Sequence, residues 1–189
     1  MAVDQLASDT DVEAALGRAL TTEESGKVDA ILDKASELFR LRSGQQFTPG
    51  TSVVRLKSNG GEVRLTQRPV VSVQAVTDDE GHPVSYTLFG SVLTTSLRSH
   101  RFVRVSYTHG GDVPELVKTT IADVARKVLE IPVEARSGLS QFSKTDGPFS
   151  ESGTYATWAV GGQTKLAPDD NAIADTFRIR YGSVIVQRS

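Results

Sequence analysis

From Thr10 to Gly44 the chain reads TDVEAALGRALTTEESGKVDAILDKASELFRLRSG, a short helix, a tight stop and a long amphipathic helix. Thr10 and Glu13 have the spacing of a capping box, in which a hydroxyl and a carboxylate satisfy amides that a helix start leaves orphaned. The run Asp11–Leu16 follows, and Gly17 suits the left-handed conformation that ends a helix. The signal then repeats: Thr21 with Glu24 opens a run to Arg42, and Gly44 closes it. Along that run Val28, Ile31, Leu32, Ala35, Leu38 and Phe39 recur at three- and four-residue steps, which places them on one helical face. Glu23, Glu24, Asp29, Asp33, Lys34 and Glu37 occupy much of the rest. Such a pair contains no chemistry; it is built to pack against something.

After Gly44 the period changes from helical to alternating. Thr51–Lys57 and Glu62–Thr66 flank Ser58–Asn59–Gly60–Gly61, a hairpin signal because Asn-Gly readily takes the positive φ of tight turns. Further strands are expected at Val70–Val76, Ser85–Phe89, Val92–Thr95 and Arg101–Thr108, the last with Phe102, Val103, Val105 and Tyr107 among polar residues. Together they suggest a meander of about six short strands. Helix returns at Pro114, which suits a first helical position, with Asp112 as a nearby cap. Leu116, Val117, Ile121, Val124, Ala125, Val128 and Leu129 make a second apolar stripe before Pro132. Residues Val133–Lys165 are rich in Gly, Ser and Thr and read as a long exposed loop, with a strand at Thr154–Val160 as an option. A short helix is expected from Pro168 to about Thr176, with Asp169 and Asp170 near its positive end.

Composition sets outer bounds. At 189 residues the chain supports one domain, and 38% hydrophobic residues give a modest core. The expected class is α+β: a small helical-bundle scaffold (1–44 and 112–132), a β-rich insertion (51–110), a long Gly/Ser-rich loop (133–165), then a short helix and extended C-terminal arm (166–189). A net charge of −2 argues against a strongly basic nucleic-acid binder, and the absence of cysteine excludes disulfides and thiolate metal sites. Met1–Gln5 lacks the basic start and apolar core of a signal peptide, and no apolar run approaches a membrane span. A soluble protein of a cytoplasm is the expectation.

The sequence is poor in catalytic patterns. His82, His100 and His109 fall in loops without ligand spacing, so solvated or turn histidines are expected rather than a metal site. Thr108–His109–Gly110–Gly111 lies between a strand and a helix, where bare glycine amides can approach an anion. No Gly-Lys-Ser/Thr ending or GxSxG nucleophile accompanies it, and a glycine-permitted chain reversal explains the same residues. Asp78, Asp79 and Glu80 sit beside Gly81, where solvated acids are ordinary. The tail from Arg178 has no acidic residue, and its Val184, Ile185 and Val186 would be an aggregation liability if left free. Two readings stay open for it: a closing strand in its own sheet, or strand addition to a neighbour.

The order of these parts resembles the head-to-tail connector (adaptor) proteins of long-tailed bacteriophages, especially those of phages infecting actinobacteria. The residues that carry it are Asp11–Arg18 with Leu20–Glu24, the helix end Phe39–Gly44, Leu65–Val73 with Val76 and Gly81, and Val103–Gly110 with Pro114 and Ala125–Arg126. It spans most of 10–131 and returns at Leu166–Pro168 and Arg178–Arg180. The resemblance implies a helical scaffold with a β-rich insertion, assembled as a ring, usually of twelve copies, under the portal in the virion neck. That ring extends the DNA channel and offers a platform to a stopper or other tail protein. It implies no catalytic residue, cofactor, metal or membrane contact, genomic DNA passing without sequence-specific binding, and assembly in the host cytoplasm. The chain departs from shorter members in its 51–108 strands and its 133–165 segment. Within this frame Arg178, Arg180, Tyr181, Val184, Ile185, Val186 and Arg188 are the expected portal-docking arm, and Glu23, Asp29, Asp33 and Glu37 the expected inter-subunit or channel face. The rival readings are a stopper or tail terminator, and a small enzyme using Thr108–Gly111 as an anion site.

Overall fold

The computed structural model describes residues 4–97, 101–146, 149–155 and 162–179. The chain forms two compact units, one of Met1–Arg42 with Asp112–Ala174, the other of Ser43–Gly111 with Asp175–Ser189.

The first unit begins with α1 (Asp9–Leu16) and α2 (Thr22–Ser43). The cap of α1 is Ser8 rather than Thr10: Ser8 Oγ accepts from the Asp11 amide, and the Asp11 carboxylate takes the Ser8 amide at 2.7 Å. Glu13, expected in that box, instead accepts from the Leu20 amide at 3.0 Å and braces the turn between the helices. Gly17 ends α1 at φ 69. The second box forms as read, with the Glu24 carboxylate on the Thr21 amide at 2.9 Å and Thr21 Oγ1 accepting from the Glu24 amide. Val28, Leu32, Ala35 and Phe39 are fully buried along α2, and Ser36 among them accepts from the Leu6 amide at 3.0 Å.

α3 (Glu115–Leu129) runs beside α1. Its N-cap is Pro114, with no side-chain cap, so Asp112 does not play the expected role. Val117, Ile121, Val124 and Ala125 form its buried stripe. Ile31 of α2 packs on a cluster of Val128, at the end of α3, with Ile131 and Ala135 beyond it.

The 133–165 segment is not one long loop. It holds α4 (Val133–Arg136) and an antiparallel hairpin of β7 (Gln141–Asp146) and β8 (Phe149–Thr154). Most of the expected strand at Thr154–Val160 lies outside the described residues. The final helix, α5 (Pro168–Thr176), has the expected bounds. Its Asp170 is buried, accepts from the Ala167 amide at 3.0 Å and binds Lys127 of α3 at 3.0 Å.

The second unit contains β1 (Gly50–Lys57), β2 (Glu62–Arg64), β3 (Val70–Asp78), β4 (Tyr86–Phe89), β5 (Val92–Thr95) and β6 (Phe102–His109). The strands match the sequence reading closely, but their partners do not. They form two antiparallel sheets of order β1-β6-β3 and β2-β5-β4 instead of a meander. The Asn59–Gly60 turn exists, bridged by Asn59 and Glu62, yet β1 and β2 leave it for different sheets. The sheets share one core of Val63, Leu65, Val76, Leu93, Val103, Val105 and Tyr107. Two-residue alternation explains it: odd-numbered residues of β6 point into that core and even-numbered ones outward.

Candidate functional site

The Thr108–Gly111 turn was the one candidate for chemistry, and its amides are already used. Gly110 N–H donates to the Pro69 carbonyl at 2.9 Å and Gly111 N–H to that of Phe47 at 3.3 Å, so neither is presented to an anion. Gly110 has φ 87, and a Cβ there would lie 2.1 Å from the Thr48 carbonyl oxygen. Only glycine allows two backbones to approach so closely. His109 ends β6 and is buried, not set in a loop. Its Nε2 and Ser52 Oγ lie 2.8 Å apart, its Nδ1 has no hydrogen-bond partner among the described residues, and burial lowers its pKa from the ordinary 6.5. The turn is therefore a structural joint.

A polar lattice that the sequence reading missed holds the same region. The buried Gln45 donates to the Thr66 carbonyl at 2.8 Å and accepts from the Arg68 amide at 3.0 Å. Gln67 reciprocates, accepting from the Gln46 amide and donating to the Gly44 carbonyl. The Tyr107 hydroxyl accepts from the Gln67 amide at 2.9 Å. The available signal was the pair Gln45–Gln46 directly after a helix-ending glycine, too generic to interpret without its partner loop. Phe47 holds φ 65, an unfavourable conformation for a bulky residue, and is buried with an edge-to-face contact to Phe177.

What remains exposed is a set of surfaces. On α2, Glu23, Asp29 and Glu37 are exposed and Asp33 is partly so. Glu23 pairs with Lys27 and Glu37 with Lys34, whereas among the described residues Asp29 and Asp33 receive only the Gln5 amide, at 3.4 and 3.1 Å. The pKa of Asp9 is raised by partial burial and by the Asp29 and Glu13 carboxylates, which marks accumulated negative charge around α1 and α2. At the start of α2, Arg18 binds Glu24 through two bonds of 2.7 Å, and the Glu24 pKa falls to about 2, mainly through that contact.

In the β-rich unit the acidic turn is partnered. Asp79 binds Arg55 through two contacts of 2.8 Å, and Asp78 accepts from the His82 amide at 2.7 Å. A cleft of about 470 Å³ beside this turn is lined by Asp78, Glu80, His82, Arg101 and Phe102 among others. Among the described residues no His/Asp/Glu group has metal-ligand geometry, and no helix is long and apolar enough to cross a membrane. β4 is an edge strand whose last residue, Phe89, is 89% exposed at a hairpin tip. Of the expected arm, Arg178 is exposed, while Arg180, Tyr181, Val184, Ile185, Val186 and Arg188 lie outside the described residues, as does His100.

Sequence comparison matches the chain to no known family and to no curated protein. Comparison of folds does find a likeness. A chain in the neck of an empty GTA (gene transfer agent) particle, computed with C6 symmetry, is similar over 97% of this chain and 95% of its own, at 13% identity and a TM-score of 0.55. The shared property is the fold. A chain in the neck of a native GTA particle, computed with C12 symmetry, covers 97% and 98% at 13% identity, with a TM-score of 0.49. The α+β class expected from the sequence is the class observed.

Proposed function

We propose that this chain is a structural neck subunit of a phage-like particle, an adaptor that forms a ring under the portal, extends the DNA channel and joins head to tail. The observation that carries this reading is a fold shared with a GTA neck chain across nearly the whole of both chains. The order of motifs from Asp11 to Arg126, which resembles head-to-tail connectors, supports it independently. The fold likeness adds nothing to the actinobacteriophage part of that resemblance. The C6 symmetry with which that GTA neck was computed supports a cyclic assembly for this chain as well, and a ring of twelve is compatible with the same symmetry.

The reading is non-enzymatic. Its partners are further copies of the chain, the portal, and a stopper or other tail-side protein, and its place is the virion neck after assembly in the host cytoplasm. Arg178–Ser189 is the portal-docking arm, because it combines three arginines with an apolar triplet and no acid. Removing Arg178–Ser189 abolishes portal capture in a pull-down while helical circular dichroism is retained. Unchanged portal capture by the shortened chain contradicts the arm assignment.

A further inference from the structure

The charges of this chain are sorted by unit. Met1–Arg42 with Asp112–Ala174 carries 18 acidic side chains against 11 basic, whereas Ser43–Gly111 with Asp175–Ser189 carries 5 against 10. A net charge of −2 conceals this separation.

The basic surplus includes one sheet face. Arg55, Lys57 and Arg104 project outward from β1 and β6, with Arg55 and Arg104 directly opposite in register. Like charges in that position repel, and Asp79 binds one of them directly while attracting Arg104 only at longer range. Arg55 is held by Asp79 and lies over the Phe102 ring at 4.0 Å from its centroid. Lys57, Arg104 and the adjacent Arg101 bind no carboxylate among the described residues. Val53, on the same face, is 65% exposed. The acidic surplus likewise has an unneutralised centre. Asp9, Asp29 and Asp33 bind no cation among the described residues, in contrast to the lysine-paired Glu23 and Glu37.

We propose that the outward face of β1-β6-β3 in one copy docks on the acidic α1–α2 face of a second copy, joining copies head to tail. This rests on the neck-ring reading and supplies the complement that its acidic face requires. Because the two faces differ, the contact is heterologous, the kind that closes into a ring when its rotation permits. A second copy fits this face better than a duplex does. Asp79 and Glu80 stand at its edge, where they repel phosphates, and Val53 with the Phe102 ring gives it an apolar centre suited to a protein surface. Opposed potentials of this kind fix register and accelerate encounter.

The test uses two full-length variants, Lys57→Glu/Arg104→Glu and Asp29→Lys/Asp33→Lys, with association followed by sedimentation at about 0.01 M and about 1 M salt. The wild type associates at low salt and dissociates at high salt. Each variant associates roughly tenfold more weakly or worse. Mixing the two variants restores association, because each then offers the other a complementary face; a merely misfolded variant cannot do this. Variants that associate like the wild type, or a mixture that stays dissociated, overturn the proposal. If rings still form under those outcomes, the neck reading stands and only this interface fails. A wild type that stays monomeric at low salt and is absent from particle necks overturns both. Loss of duplex binding in Lys57→Glu/Arg104→Glu, with association unchanged, assigns the face to DNA and also overturns it.

Discussion

At the scale of single residues, Thr108–Gly111, read from the sequence as a glycine-permitted reversal with an anion site as the rival, is a packing joint, and its chemistry should show in stability. Gly110→Ala forces a methyl group against the Thr48 carbonyl and strains a backbone at φ 87. It should cost more than about 2 kcal/mol, seen as a lower denaturant midpoint. Tyr107→Phe leaves the Gln67 amide without its acceptor and should cost about 1–3 kcal/mol. His109 supplies a pH signature. Burial holds its folded pKa below 6.5, so as pH falls the unfolded chain takes up the proton first. The stability it contributes is therefore present above pH 6.5 and is lost as pH falls from there through the folded value. A thermal melt series from about pH 7.5 to about pH 5 should show a smaller decline for His109→Gln than for the wild type. The glycine-permitted reversal was legible in the sequence, but the surroundings of His109 were not, because a histidine beside two glycines reads equally as a loop. Only the pairing of β6 with β1 reveals Ser52 as its partner.

At the scale of elements, legibility depended on how local the determinants are. The α2 helix was readable because its cap, stripe and stop lie within one stretch from Thr21 to Gly44. Thr21→Ala should cost about 1 kcal/mol. Glu24, with a folded pKa of about 2, contributes stability that is present above its ordinary 4.5 and lost as pH falls toward 2. Glu24→Gln should remove that acid dependence from the unfolding curve. The α1 cap was misread by two residues because Ser8 and Thr10 are chemically interchangeable in that role, and Asp11 rather than Glu13 completes the box. The strands were readable from their alternation, but their partners were not: β6 must bring together β1 and β3 from far along the chain. The β7–β8 hairpin escaped notice because half of its strand residues are serine, threonine or glycine and the others form no periodic apolar face. Gly153 lies opposite Phe142, and a Cβ there would meet the ring at 2.6 Å, so the glycine makes room for an aromatic ring. Gly153→Val should displace Phe142 and broaden its NMR signals while the β1-β6-β3 sheet remains intact.

At the scale of the whole molecule, the order of motifs resembles that of a connector, and the fold is similar to that of a GTA neck chain over 97% of this chain. The acidic helical unit and the basic β-rich unit give each copy two unlike faces, which a list of motifs does not disclose. The central claim is that copies of this chain close into a ring at the neck. Electron microscopy of the chain mixed with the portal of its own particle tests it most directly. The expected image is a closed ring of this chain seated coaxially on the portal, with rotational symmetry that includes six-fold. Single copies scattered on the portal, open filaments, or a bare portal beside free monomer would contradict it.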